Sequence, residues 1–281
     1  MKSANARGIF FMLLFACVLP FNDAITKILI VDYDASQLLA IRFAFLTLLL
    51  LPPALALPSG VILKPANRGL LLFRGVLMAA ASTFYVSSLF YLPLATTTAI
   101  SMLFPLIVTA VSPFVLGERV GVIRYSMVAL GFVGALLVVQ PTSAGFGRGE
   151  LLALGAPLCF SVYVLLTRRM SGQATQLGQL FWTCIGAFVI TGFMGWQVWQ
   201  DPDNFGWGMI ILTGLLAFLI YVLQIAALSQ GEASVIVPFT YVSLGSAAAV
   251  GYLIWGELPN TLALAGIGLI ALSGVVIAVR S

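Results

Sequence analysis

The sharpest chemical feature of this sequence is one aspartate inside an apolar stretch: Asp23, which follows Asn22 and precedes Lys27 by four residues. In a helix that spacing puts Asp23 and Lys27 on one face. Arg42 stands inside the next apolar stretch. An ionised carboxylate in hydrocarbon costs about 2.5–3.5 kcal/mol on insertion scales, so Asp23 must face a cavity or a partner. As a working group it binds a cationic moiety or exchanges a proton, and Lys27 or Arg42 then meets a carboxylate. As a structural group it pairs with Lys27, which snorkels to the interface. Arg42 can bind solute, pair with Asp23 or snorkel outward, and the residues alone leave these readings open.

Other polar groups recur inside apolar runs. Tyr85 and Ser88 belong to a series at three-residue steps with Ser82 and Tyr91, and Ser101 follows Thr96, Thr97 and Thr98. Tyr163, Tyr221, Gln224 and Tyr241 stand in later runs. Small hydroxyls in hydrocarbon read first as helix–helix glue or as partners of their own backbone. Tyrosine and glutamine at mid-helix want a cavity or a specific partner. The candidate solute-binding set is therefore Asn22, Asp23, Lys27, Arg42, Tyr85, Ser88, Ser101, Tyr163, Tyr221, Gln224 and Tyr241, with Asp23 also the candidate coupling group. Tyrosine faces with few charges suit a flat, partly apolar solute.

Much chemistry is excluded. The chain has no histidine, which removes the H-E-x-x-H zinc site, the Ser-His-Asp triad and the Cys-His dyad. Cys17, Cys159 and Cys184 lie in apolar runs without C-x-x-C spacing, so they read as buried packing groups rather than disulfides or metal ligands. No P-loop is present. An intramembrane aspartyl protease needs two embedded aspartates, and only Asp23 qualifies. A retinal pigment needs an embedded lysine, and Lys27 lies close to the end of its run. No metal, cofactor or enzymatic activity is expected.

The elements that must position these groups follow from composition. Of 281 residues, 61% are hydrophobic and 8% charged, with a mean hydropathy of +1.11. Soluble domains carry about 25% charged residues, so the chain belongs in a lipid bilayer. A helix rising about 1.5 Å per residue needs roughly 20 residues to cross about 30 Å of hydrocarbon. Turn and charge signals give ten such spans: 8–30, 36–57, 69–91, 95–116, 121–140, 150–167, 177–199, 207–228, 234–255 and 261–279. The expected fold is an all-α polytopic membrane protein with short loops, no soluble domain and no cleavable signal peptide. The net charge of +4 comes from scattered basic residues, which argues for topology rather than nucleic acid. With the N-terminus inside, one face collects Lys2, Arg7, Lys64, Arg68, Arg74, Arg119, Arg124, Arg168, Arg169 and Arg280, and the other only Arg148. The positive-inside bias thus makes both termini cytoplasmic. Short loops and small size fit a bacterial inner membrane.

The chain also repeats itself. Arg7-Gly8 returns as Arg148-Gly149 and Thr26-Lys27 as Thr167-Arg168, both 141 residues later. Gly117-Glu118 returns as Gly256-Glu257 after 139 residues, and Gly134 as Gly274 after 140. The repeats are 1–141 and 142–281. Five spans in each is an odd number, so the second copy must enter from the opposite side, the inverted architecture of many secondary transporters. Pro20 and Pro157 fall in spans 1 and 6, and Pro105 and Pro238 in spans 4 and 9. These are corresponding helices, and the prolines are expected to interrupt them as cavity-lining, moving elements. Glu118 and Glu257 each end a span just after glycine and read as polar helix ends with a structural or gating role.

The five-plus-five arrangement, the repeated Gly-Glu (Gly117-Glu118 and Gly256-Glu257), the Asp-x-x-x-Lys of span 1 and Arg42-Phe43 in span 2 resemble the EamA-type family of the drug/metabolite transporter superfamily. The likeness covers nearly the whole chain. It implies a cavity between two bundles, peripheral spans 5 and 10, and carriage of a small organic solute, in many members outward and in some inward. The resulting expectation is a secondary transporter moving an amino acid or similar amphipathic metabolite by alternating access. Organic cations and nucleoside- or vitamin-like solutes taken up are the alternative, with a channel or sensory subunit behind. A homodimer is compatible, although each chain holds a complete path.

Overall fold

The computed structural model describes residues 2–56, 67–117, 120–140, 146–170, 175–230 and 233–279. Among them the helices are α1 (Lys2–Leu29), α2 (Ala35–Ala56), α3 (Arg68–Leu89), α4 (Leu94–Ser101), α5 (Phe104–Leu116), α6 (Val122–Val139), α7 (Arg148–Arg169), α8 (Gln176–Gln197), α9 (Asn204–Gln230), α10 (Ala233–Ile236), α11 (Val242–Trp255) and α12 (Thr261–Val279). A 3-10 turn, Val237–Tyr241, joins α10 to α11. Counting α4–α5 and the α10–α11 segment as one span each, ten helices are long and apolar enough to cross a membrane. They coincide with the ten expected spans, with ends shifted by a few residues. Glu118, and the topology residues Lys64, Arg119 and Arg280, lie outside the described residues.

Helices are what a bilayer permits, because hydrocarbon offers no partner to an open backbone group. The side chains are distributed inside out relative to a water-soluble protein. Phe114 and Leu253 project outward at 86% and 78% exposure, whereas Asn22, Gln37, Ser88 and Thr97 are buried. Cys17 is exposed on this apolar outside and Cys159 half-exposed, so only Cys184 is the buried packing group expected.

The four prolines divide into two kinds. Pro20 and Pro157 stand inside continuous helices and do not interrupt them. Proline at position 20 deprives the Ala16 carbonyl of its usual donor, and the Ser246 hydroxyl of α11 donates to that carbonyl at 2.7 Å. The Ser161 hydroxyl lies 2.6 Å from the Pro157 carbonyl and 3.2 Å from that of Phe104. Spans 4 and 9, by contrast, are broken. The first breaks at Met102–Leu103 ahead of Pro105, the second at the 3-10 turn holding Pro238. Both broken spans end on a left-handed glycine, Gly117 at φ 70° and Gly256 at φ 68°, a conformation glycine reaches without the Cβ penalty. The glycine of the repeated dipeptide is thus a repeated helix cap.

Most of the packing is kept when every span is moved on by five. The main contacts are α1 on α9, α3 on α7, α2 on α8, α6 on α12 and α3 on α8, with α4 crossing α11. In span numbers these are 1 with 8, 3 with 6, 2 with 7, 5 with 10, 3 with 7 and 4 with 9. The first two exchange with each other, three map onto themselves, and the α3–α8 contact maps onto α2 with α9, which is less extensive. The α6–α12 contact is close because both helices present glycine. A Cβ added at Gly134 lies 2.8 Å from the Gly266 carbonyl oxygen, and one at Gly266 runs into that of Gly134. Gly268, two residues on, has open space. Valine at position 134 or 266 should therefore lower the unfolding free energy in detergent by about 1–3 kcal/mol, while Gly268→Ala leaves it unchanged; denaturant titration followed by circular dichroism measures both.

Candidate functional site

Asp23 is 7% exposed and lies where three helices meet. The Tyr85 hydroxyl of α3 donates to its Oδ2 at 2.7 Å, and that hydroxyl is also 3.4 Å from Thr98 Oγ1 of α4. One residue earlier, Asn22 Nδ2 donates to the Thr213 carbonyl of α9 at 2.8 Å. One turn later, Thr26 bonds back to the Asn22 carbonyl and accepts from Arg42 Nη2 at 2.6 Å. Arg42 and Asp23 attract each other electrostatically, yet among the described residues no salt bridge joins them. The geometry is a carboxylate and a guanidinium near each other, each held by a hydroxyl rather than by its opposite charge. Arg42 Nε has no hydrogen-bond partner.

Lys27 does not pair with Asp23, although they are one turn apart. Its Nζ reaches both carboxylate oxygens of Glu257 at 2.8 Å, the Leu92 carbonyl at 3.1 Å, and the face of Trp255 at 4.8 Å from the ring centre. The second Glu257 oxygen accepts from the Leu94 backbone N–H at 3.4 Å. The left-handed cap at Gly256 brings Glu257 back toward the bundle. One ion pair therefore ties α1, the α3–α4 turn and the end of α11 together. A separate groove of about 430 Å³ beside the α1–α2 turn is lined by residues that include Asp32, Asp34, Tyr91 and Gln200.

From Arg42 the polar groups continue through the bundle. Tyr221 of α9 lies within electrostatic reach of both Arg42 and Tyr163. The Tyr163 ring of α7 carries the Arg74 guanidinium 4.8 Å above its centre, and Arg74 Nη1 donates to Gln179 Oε1 of α8 at 3.0 Å. Arg74 is 1% exposed. It is a buried member of this line, whereas its position near a span end suggests a topology charge at the interface. Arg74 and Tyr85 are eleven residues apart on α3, about three turns and 16 Å along one face.

The other candidates fall into three groups. Ser88 and Ser101 donate within their own helices, to the carbonyls of Tyr85 and Thr98. Gln224 is half-buried, about one turn beyond Tyr221. Tyr241 stands apart. It is buried in the cluster formed by α4–α7, α11 and α12, its hydroxyl lacks a partner, and its ring fills the space a side chain at position 274 would take. Residues that sequence reasoning passed over as site members are Thr26, Thr98, Trp255, Arg74 and Gln179. The eleven-residue step from Arg74 to Tyr85 is the one signal that could have recruited any of them.

The EamA-like transporter family model matches the chain twice, over residues 6–140 and 147–279. The S-adenosylmethionine uptake transporter of Rickettsia prowazekii is 24% identical over 253 residues, covering 90% of this chain and 86% of that protein. The pseudopaline exporter CntI of Pseudomonas aeruginosa is 24% identical over 261 residues, covering 92% and 91%. The riboflavin transporter of Rhizobium johnstonii is 27% identical over 189 residues, covering 67% and 63%. A solved crystal structure at 20% identity, covering 100% of this chain and 97% of its own, superposes with a TM-score of 0.66 and so shares the fold. With ten membrane-crossing helices and a family match over both halves, the chain belongs to the EamA-like transporter family.

Proposed function

We propose that this transporter moves a zwitterionic, partly aromatic organic solute by alternating access between two inverted five-helix repeats, residues 1–141 and 142–281, with both termini in the cytoplasm of a bacterial cell. The observation that carries it is the unpaired charge geometry of the site. Asp23 leans on Tyr85 and Arg42 on Thr26, so a carboxylate and a guanidinium are held apart in a buried setting. An ammonium group meets Asp23 and a carboxylate meets Arg42, while Tyr85, Tyr163 and Tyr221 face the apolar body. S-adenosylmethionine, which the Rickettsia relative is named for, carries an amino-acid end and an aromatic base. The relatives' names span uptake and export, which fits a scaffold able to face either way. Asp23 is the coupling group, because a proton and a solute ammonium compete for the same carboxylate.

Inversion is supported by the packing that survives a shift of five spans and by the odd number of spans in each match. A path of this kind opens by rocking one bundle on the other around a fixed central site. The broken spans 4 and 9 are the elements with backbone to spare for that movement. Lys27 of the first repeat and Glu257 of the second are the tie that closes the outer end.

Four outcomes are expected. Untargeted comparison of metabolites inside and outside cells expressing wild type, Asp23→Asn or empty vector should show one solute class displaced by wild type alone. With that solute in proteoliposomes, Asp23→Asn should abolish accumulation driven by a proton gradient. Equal displacement by wild type and variant would remove Asp23 from the route. Reversing either charge of the tie, Lys27→Glu or Glu257→Lys, should cut flux about tenfold or more by leaving a half-buried charge unpaired, and the double reversal should recover most of it. Reporter fusions at residues 1 and 281 should both give the cytoplasmic signal, and a periplasmic signal from either overturns the orientation.

A further inference from the structure

Arg74 is a fully buried cation whose two contacts, Gln179 and Tyr163, are neutral. Its guanidinium offers five donors in a planar fork. One nitrogen, Nη1, bonds the amide oxygen of Gln179, the ring of Tyr163 covers the face, and Nε has no partner. Among the described residues no carboxylate pairs with it. A glutamine and a ring would hold α3, α7 and α8 together without a charge, and a buried guanidinium whose Nε is unmet is costly to keep. What an arginine adds is a bidentate seat for an oxyanion, which neither lysine nor glutamine reproduces.

The surroundings define the rest of the ligand. Tyr163 stacks on Phe160 at 5.4 Å and 21°, and Phe160 meets Phe104 edge-on at 4.9 Å. Phe104 opens α5 at the break in span 4. A series of aromatic rings thus runs from the guanidinium to the broken helix. We propose that Arg74 is a second anion-binding station, in the half of the bundle opposite Asp23, taking the carboxylate of an aromatic or similarly flat solute against the Phe160–Tyr163 wall. The proposal rests on the solute route described above and extends it. Arg74 shares a face of α3 with Tyr85, so one helix presents a polar group to the solute at both ends of the path. The adjacent Phe73 points outward at 49% exposure, whereas Arg74 is turned into the bundle.

The test uses purified full-length protein in detergent and benzoate as probe. Benzoate should raise the unfolding temperature of wild type, and its neutral isostere benzamide should not. Arg74→Gln should bind benzoate about tenfold or more weakly, the worth of a charge-assisted pair, and Arg148→Gln should bind it as wild type does. Gln179→Glu supplies an internal carboxylate to Arg74. This variant should be folded, at least as stable as wild type, and indifferent to benzoate, so the result does not depend on Arg74→Gln folding. A wild type that responds equally to benzoate and benzamide, or Gln179→Glu and Arg74→Gln proteins that keep the full response, overturns the station. Competition of phosphatidylglycerol with benzoate reassigns the seat to a lipid headgroup and also overturns it. None of these readouts requires transport, so failure of the Asp23 route and failure of the Arg74 station are seen separately.

Discussion

Every charge that this chain carries into hydrocarbon has to be met from within, and the internal architecture follows from how each is met. Lys27 is answered by a carboxylate, a carbonyl and an indole face at once. Asp23 is answered by one phenol, Arg42 by one threonine, and Arg74 by one amide and one ring. The difference matters. A charge with a complete set of partners is structural, because moving it exposes an unpaired ion. Charges met by neutral groups keep affinity in reserve, since a hydroxyl or amide compensates an ion only in part. Lys27–Glu257 belongs to the first kind, and Asp23, Arg42 and Arg74 to the second.

The same demand governs the backbone. Where proline removes a donor in α1, a hydroxyl from α11 takes up the abandoned carbonyl, and the helix continues. Spans 4 and 9 do break, and they break inside the bundle, with Ser161 of α7 reaching the Phe104 carbonyl at the first break. Irregular backbone is tolerated at membrane depth only where protein or cavity covers it. Hence the breaks in the two spans mark the interior of the molecule, and the α6–α12 pair, packed glycine to glycine, is free to be continuous.

Composition and periodicity made the ten spans legible because a bilayer imposes length and polarity on each span separately, without reference to its neighbours. The Gly-Glu repeat was legible for a similar reason: a left-handed cap is local, and only glycine satisfies it cheaply. Partnership was harder to read. Asp23 and Lys27 satisfy the i,i+4 rule, but Glu257, 230 residues away, captures the lysine, because the cap at Gly256 aims a full carboxylate at it from another helix. Arg74 was hidden by its position near a span end, where basic residues usually face water. Its burial depends on α7 and α8 closing over it. Proline type likewise does not tell a continuous helix from a broken one, since the outcome rests on whether a neighbour supplies a donor.

The packing repeats across the two halves, and the charges do not. Asp23, Arg42 and Arg74 all belong to the first half, and the positions 141 residues further on are Val164, Thr183 and Leu215. The second half instead supplies Tyr163, Gln179 and Tyr221, which are neutral, and Glu257, which holds the tie. Packing that largely repeats would give the proposed rocking motion two end states of similar energy, because each would be built from much the same helix contacts. An ion placed in only one half breaks that equivalence. In the proposed motion the charges of the first half would slide past the neutral faces of the second, and a solute held between them would stabilise one alignment more than the other. Selectivity and coupling can therefore be set by a few residues of the first half while the scaffold that moves is left unchanged.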